Sequence, residues 1–275
     1  MSNSTVHRHH ILHRSHIKKG HIHHGSSPIE KNPILQIFKG NEITPQIVSD
    51  ASTLFSNHYG IWGSKGPKPG SRIRMNSARL REQILPKNLE GNCTCVRILI
   101  QEEVVGHAFA CSWKTGDEGN TVCWIAQLVV HSEFRGQRLS LRLLEALKEP
   151  RFTCYGILSS HPYACLAAIR SFAGCDMANY DPGDTAQYKR TILESSPIPY
   201  IRDAEFNNDT IQKGNDSIKE ETCSAFTRFY VDHGEPQEAL RSVQGRGVIW
   251  KLGTLKEGHE HLVIVPQPFV REPSK

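Results

Sequence analysis

The sequence predicts an α/β (α+β) protein, a mixed central β-sheet flanked by helices. Three observations carry that expectation. Over residues 95–130, segments rich in β-branched and aromatic residues alternate with short polar turns, the pattern of an antiparallel meander. The apolar period then changes at His131: Leu139, Leu143, Leu144 and Leu147 share one helical face. A short strand and another helix come next, so a strand–helix–strand–helix unit extends the meander and places helices on the faces of the sheet.

Taken in order, residues 34–38 form a short apolar stretch. Residues 43–58 read as a helix with Ile47, Ala51, Leu54 and Phe55 on its apolar face. Gly60 to Ser71 is a glycine- and proline-rich loop that no helix or central strand can hold. A second helix is expected over 76–84, ending before Pro86. Strands are expected over 95–101, 107–113 and 122–130, then a helix over 138–149. A strand over 155–159 leads to a helix over 162–172, with Pro162 in its first turn, where the missing amide costs nothing. The pattern fades from 180 to about 220 and is read as an inserted loop. A strand over 224–231, a short helix over 237–243 and a last strand over 261–265 complete a single domain spanning 31–270.

The 275 residues are 38% hydrophobic and 22% charged, enough apolar material for a real core. No run approaches the length of a membrane span, so no membrane partner is expected. The first thirty residues lack an apolar signal core, so secretion is not expected. Eight cysteines are scattered through apolar segments and read as small buried hydrophobes in a reducing, intracellular compartment, cytoplasmic or nuclear. Cys93 and Cys95 have no second thiol pair nearby, which argues against zinc, and no metal site is expected. Residues 1–30 are rich in histidine (His7, His9, His10, His13, His16, His21, His23, His24), with Glu30 the first acid. They read as a disordered basic tail, with weak metal chelation, polyanion contact and organelle targeting as the alternatives.

Chemistry is concentrated after the third long strand, at Val129-Val130-His131-Ser132-Glu133-Phe134-Arg135-Gly136-Gln137-Arg138-Leu139-Ser140. A strand, a tight polar turn and a helix start bring exposed amides and two guanidinium groups together, a combination suited to phosphate oxygens. On these residues alone the alternative is a surface turn with two arginines. The glycines match neither a P-loop nor a dinucleotide fingerprint.

This run resembles motif A of the GNAT superfamily of N-acetyltransferases. That motif comes after the fourth core strand and reads Arg or Gln, two variable residues, Gly, one variable residue, then Gly or Ala. Arg135 stands first, with Gly136 and Gln137 next. Arg138 stands where the family usually has Gly, Leu139 is fifth, and Ser140 stands where it has Gly or Ala. Cys123–Val130, residues 157–162, the Gly-Pro-Lys-Pro-Gly loop and residues 78–81 are similar to a fungal-type group of undefined substrate.

The resemblance implies a GNAT fold whose sheet is splayed between strands 4 and 5, with acetyl-CoA as co-substrate and an amine acceptor. It implies that the backbone of Leu128, Val129 and Val130 holds the pantetheine arm. The amides from Arg135 through Gly136, Gln137, Arg138 and Leu139 to Ser140 would hold the pyrophosphate, and the thioester would lie near Gln127 and Ser160. The Arg138 side chain either crowds the pyrophosphate or adds a contact.

Many members use a strand-4 glutamate as base, and residues 124–130 contain none. Gln127 is expected to orient water or substrate. His161 is the candidate base, with helix capping as its alternative role. Tyr163 is the candidate acid and Tyr180 a second one, while Cys165 is expected to pack. His259, Glu260 and His261 are expected on a surface strand, with reach into the acceptor pocket as the alternative. Lys65 and Lys68 point either to an acidic acceptor or to a solvated surface. The expected activity is acetyl transfer to a primary amine of a small molecule or protein. The alternative is a non-catalytic acyl-CoA-binding or scaffold protein on the same fold. No specific nucleic-acid partner is expected, and the sequence does not set an oligomeric state.

Overall fold

A computed structural model describes residues 32–116, 120–205 and 223–267; the expected tail over 1–30 lies outside them, as does part of the expected inserted loop. A seven-stranded sheet in the order β1-β2-β3-β4-β5-β7-β6 organises the described residues. Its strands are β1 (Ile34–Lys39), β2 (Cys93–Ile100), β3 (Glu103–Thr115), β4 (Asn120–Val130), β5 (Cys154–Ser159), β6 (Ser224–Phe226) and β7 (His259–Pro266). All neighbours run antiparallel except β4 and β5, which are parallel. The β2–β3 hairpin turns at Gln101 and Glu102, both at positive φ. This is the left-handed pairing that matches strand twist.

Helices cover both faces. One face carries α3 (Leu139–Glu145) and α4 (Pro162–Ala168), the latter running into a wider turn over Ile169–Ala173. There Leu143, Leu144, Cys165 and Ile169 pack against Val96, Ala108, Ile125 and Ile157. The other face carries α1 (Pro45–His58), α2 (Ser77–Ile84), α5 (Ala186–Glu194) and α6 (Pro199–Arg202). Ile47, Ala51, Leu80, Ile192 and Ile201 meet Phe109, Trp124, Leu158 and Ile264 on that face. Thr44 starts α1 by accepting from the Ile47 amide, and Asn76 starts α2 by accepting from the Arg79 amide. The remaining helix, α7 (Gly234–Gly245), precedes β7. None of the described helices is long and apolar enough to cross a membrane.

Several elements differ from the sequence expectation. The helix expected over 138–149 ends at Glu145. The strand expected over 224–231 stops at Phe226. Two helices, α5 and α6, occupy part of the stretch read as loop, where the prolines sit at helix starts: Pro199 is the first residue of α6. The eight cysteines are thiols; seven are buried and Cys175 is half-buried.

β4 and β5 pair over only four residues, Val122–Ile125 against Cys154–Ile157. At that junction the fully buried Trp124 lies opposite Gly156, and a Cβ on Gly156 would overlap the Trp124 ring carbons. The ring is fully buried, so it has little room to yield. Gly156→Ala is therefore expected to cost about 1–3 kcal/mol through overpacking, read as a lower urea midpoint with an unchanged slope.

Candidate active site

Beyond Ile125 and Ile157 the two central strands part. The β3–β4 register shifts between Phe109 and Ala110, which makes Ala126 an extra residue in β4. Such a bulge bends its strand and re-aims the residues beyond it. β4 then stays with β3 through Val130, and β5 stays with β7 through Ser159. The Ala126 carbonyl on the parting edge accepts from the Tyr200 hydroxyl at 3.1 Å. The His131 amide donates to Val105 on the β3 side. Alternation along a strand therefore turns the backbone groups of Leu128 and Val130 toward β5. Val130 agrees, since its carbonyl lies 3.4 Å from Arg135 Nε.

A cleft of about 780 Å³ fills this fork. Its walls include Leu128, Val129 and Val130 from β4, and Ser159, Ser160, His161 and Tyr163 around the end of β5. Arg135, Gly136, Arg138, Leu139 and Ser140 form its floor at the start of α3, and Glu235 and Arg246 enter from α7 and just beyond it. Of the residues expected to hold a cofactor, Gln137 alone is not on the cleft wall and is exposed instead.

The turn into α3 has the backbone of an anion cradle. Gly136 and Arg138 both have positive φ, at 77° and 59°. No side chain caps the helix start. Arg138 thus keeps the left-handed conformation at the motif's usual glycine, at the strain of a Cβ close to its carbonyl. Arg135 is braced by the carbonyls of His58 and Val130 and by the Glu235 carboxylate. Its charge thus faces a carboxylate inside the cleft. The His161 ring, then Arg135, hold Glu235 below the usual carboxylate range.

The expected catalytic residues are distributed unevenly. His161 Nδ1 accepts the Tyr163 amide at 3.3 Å, capping α4, and Nε2 lies 3.5 Å from Glu235. A neutral imidazole has one lone pair, and here the cap uses it, so the geometry suits a positioning role better than proton capture. Tyr163 lies on the cleft wall, and its hydroxyl oxygen accepts from Arg246. Gln127 is not on the cleft wall: it is buried, with its carbonyl oxygen 2.7 Å from His107 Nε2. Burial pulls His107 down to about 4, so this imidazole is neutral. Tyr180 is withdrawn from the site, its buried hydroxyl donating to the Ile264 carbonyl at 2.9 Å. Cys165 is fully buried, and burial pushes its thiol up, as a packing residue requires.

One expectation is overturned. His259, Glu260 and His261 lie on no surface strand; all three are buried, because β6 covers that edge of β7. The sequence signal for this is the apolar run immediately after them, Leu262 to Val265. Lys65 pairs with Glu257 at 3.1 Å, and the loop over 60–72 is pinned by Gly63 donating to the Tyr230 carbonyl. Among the described residues no group of three or more His, Cys, Asp or Glu is arranged to hold a metal.

Residues 65–158 match the family described as the acetyltransferase (GNAT) family. Sheet order, the parallel β4–β5 pair and the flanking helices are those of the GNAT fold. Among solved structures, the chain is similar to a GNAT family acetyltransferase from Staphylococcus aureus, at 15% identity over 42% of this chain and 73% of that one, TM-score 0.30. It is also similar to a ribosomal-protein-alanine N-acetyltransferase from Brucella melitensis, at 10% identity over 42% and 69%, TM-score 0.30. A Trypanosoma brucei acetyltransferase gives 17% identity over 42% and 72%, TM-score 0.30. Likeness at that level says nothing of substrate. A search of curated proteins finds no match.

Arg138→Gly removes the left-handed strain while leaving the cradle's backbone path available. It is expected to leave the fold intact and raise stability by up to about 1 kcal/mol, the glycine's extra unfolded-state freedom offsetting part of the gain. Thermal melting of the two proteins side by side checks this.

Proposed function

We propose that this chain transfers an acetyl group from acetyl-CoA to a primary amine. The carrying observation is the early end of β4–β5 pairing, at Ile125 and Ile157, with the backbone of Leu128 and Val130 turned into the cleft beyond it. A strand edge inside a cleft has donors and acceptors to satisfy. The amide-bearing pantetheine arm suits it as a third strand, with Val129 between the two contacts.

The floor fits the other end of the same molecule. The amides of Gly136, Arg138, Leu139 and Ser140 and the Arg135 guanidinium suit a pyrophosphate. Arg72, Arg170 and Arg246 add positive charge on the cleft wall. The thioester then falls beside Ser160 and Tyr163. Arg246 donates to the Tyr163 oxygen, leaving the phenolic proton free to go to the departing sulfur. His161, fixed by its cap and by Glu235, holds the mouth of α4 in place. Gln127 orients the acceptor side indirectly, through His107. The alternative reading, a non-catalytic acyl-CoA-binding or scaffold protein, keeps the cleft and loses the transfer step.

Calorimetric titration with acetyl-CoA and with desulfo-CoA is the direct test. Both are expected to bind in the micromolar range. Arg135→Ala should weaken both by about tenfold or more, the loss of a charge-assisted contact worth about 1.5–3 kcal/mol. Glu235→Gln removes a carboxylate that competes for Arg135 and should tighten binding several-fold, an effect that shrinks as salt is added. A folded protein that binds neither ligand sinks the acetyltransferase reading. Tight binding of both with no transfer to any amine selects the scaffold.

A further inference from the structure

Glu260 is a buried carboxylate with no task yet in the transfer reaction. It sits on β7, where His261 pairs with Ser159 of β5. One residue further along, Glu260 therefore comes level with Ser160, on the cleft wall where the thioester is expected. Alternation places its side chain on the same face as Leu262 and Ile264, the face covered by α1, α5 and α6. That is the face of Gln127 and His107, and opposite the one covered by α3 and α4.

Its surroundings contain no cation among the described residues. Glu260 is 5% exposed, and no ion pair reaches it there. The Thr227 hydroxyl, which donates to the Gly258 carbonyl at 3.4 Å, is the one polar side chain that opposes the rise of its carboxyl. The titratable groups within range of its charge are Tyr59 at the end of α1, Tyr200 on α6 and Cys165 on α4. All three are pushed up, by burial first and by Glu260 second, so they are neutral at pH 7. On its own strand the flanking His259 and His261 side chains point to the other face; burial lowers His261 to about 4. Tyr200 ties this cluster to the fork, since its hydroxyl holds the Ala126 carbonyl where β4 leaves β5. Tyr59 lies on the cleft wall.

We propose that Glu260 receives the proton of a cationic primary amine entering from the α1–α6 side of the fork, and is the general base of the transfer. The inference rests on the acetyltransferase reading and adds the acceptor's charge. The acceptor ammonium passes one proton to the Glu260 carboxylate, and the freed nitrogen lone pair forms a C–N bond to the thioester carbonyl carbon. The C–S bond breaks and the sulfur leaves with its electron pair. The second nitrogen proton goes to the sulfur by way of Tyr163, and Glu260 returns its proton to solvent. Products are the acetamide, the free thiol and one proton. Burial raises the carboxyl to about 7, opposed in part by Thr227, which places it where a base works best near neutral pH.

Glu260→Gln keeps shape and removes the base. A carboxyl raised in the fold destabilises it as pH rises through 7, so the glutamine variant should melt at or above wild type at pH 8, reporting an intact fold. The probes are spermidine, tyramine and a lysine-containing peptide as acceptors, with acceptor-free hydrolysis of acetyl-CoA as a reaction that needs none. At pH 7 the variant should lose about 100-fold or more in kcat for transfer and hydrolysis, with acetyl-CoA affinity unchanged. The wild-type rate should fall with acid below about pH 7, and the deficit should narrow at high pH, where the amine sheds its proton unaided. Equal rates for variant and wild type, including the case in which neither turns over, with acetyl-CoA bound by both, overturn the proposal. Failure of wild type itself to bind acetyl-CoA overturns the underlying reading instead.

Discussion

The structure depends on one constraint: β4 cannot stay with both of its neighbours. Up to Ile125 it runs with β3 and β5, and the Trp124 ring across Gly156 fixes that contact. At Ala126 an extra residue enters the ladder with β3, and the strand must bend. A bent β4 stays with β3, while β5 is held by β7 and cannot bend with it. The result is a fork whose inner edges are polar backbone in a largely apolar interior. Unpaired backbone groups in such a place destabilise the fold unless something bonds them, which is why the Tyr200 hydroxyl at Ala126 matters. It closes the vertex and leaves the next two outward-facing residues, Leu128 and Val130, to the cleft.

Much of this was legible in the sequence, for identifiable reasons. The strands over 95–130 announce themselves through β-branched and aromatic content, and α1 through the spacing of Ile47, Ala51, Leu54 and Phe55. Arg135 and Gly136 mark the cradle. Other features left little local trace. The bulge at Ala126 is a property of the pairing with β3, and no residue type there demands it. The β2–β3 turn lacks an Asn-Gly or Asp-Gly signal, because Gln101 and Glu102 carry the positive φ themselves. α5 and α6 lie in a proline-punctuated stretch whose apolar residues become a helix face only when Ile192, Leu193 and Ile201 meet the sheet.

The candidate site was less legible than the fold because it is assembled across long separations. The turn into α3 supplies Arg135, but the carboxylate facing it, Glu235, is a hundred residues later on α7. Tyr163 acquires its partner from Arg246. His161 at the end of β5 suits either a base or a helix cap, and in the structure its Nδ1 accepts the Tyr163 amide. Glu260 sits between two histidines, which suggested a polar surface strand, and only its place between β5 and β6 makes it buried.

The two faces of the fork are opposite in electrostatic character, and that difference constrains the chemistry. On the cleft side Arg72, Arg135, Arg138, Arg170 and Arg246 outnumber Asp232 and Glu235, a field that favours a polyanion and screens poorly inside a cleft. Behind that wall the buried groups are the neutral Tyr200, a neutral His107 and one carboxylate without a cation among the described residues. An anionic acceptor entering there would meet Glu260 with nothing to compensate two like charges, whereas an ammonium would supply the missing counter-charge. In the proposed reaction, proton transfer within that pair would leave both partners neutral, the state that burial favours, and the fork that opens β4 to one ligand would set the side from which the other approaches.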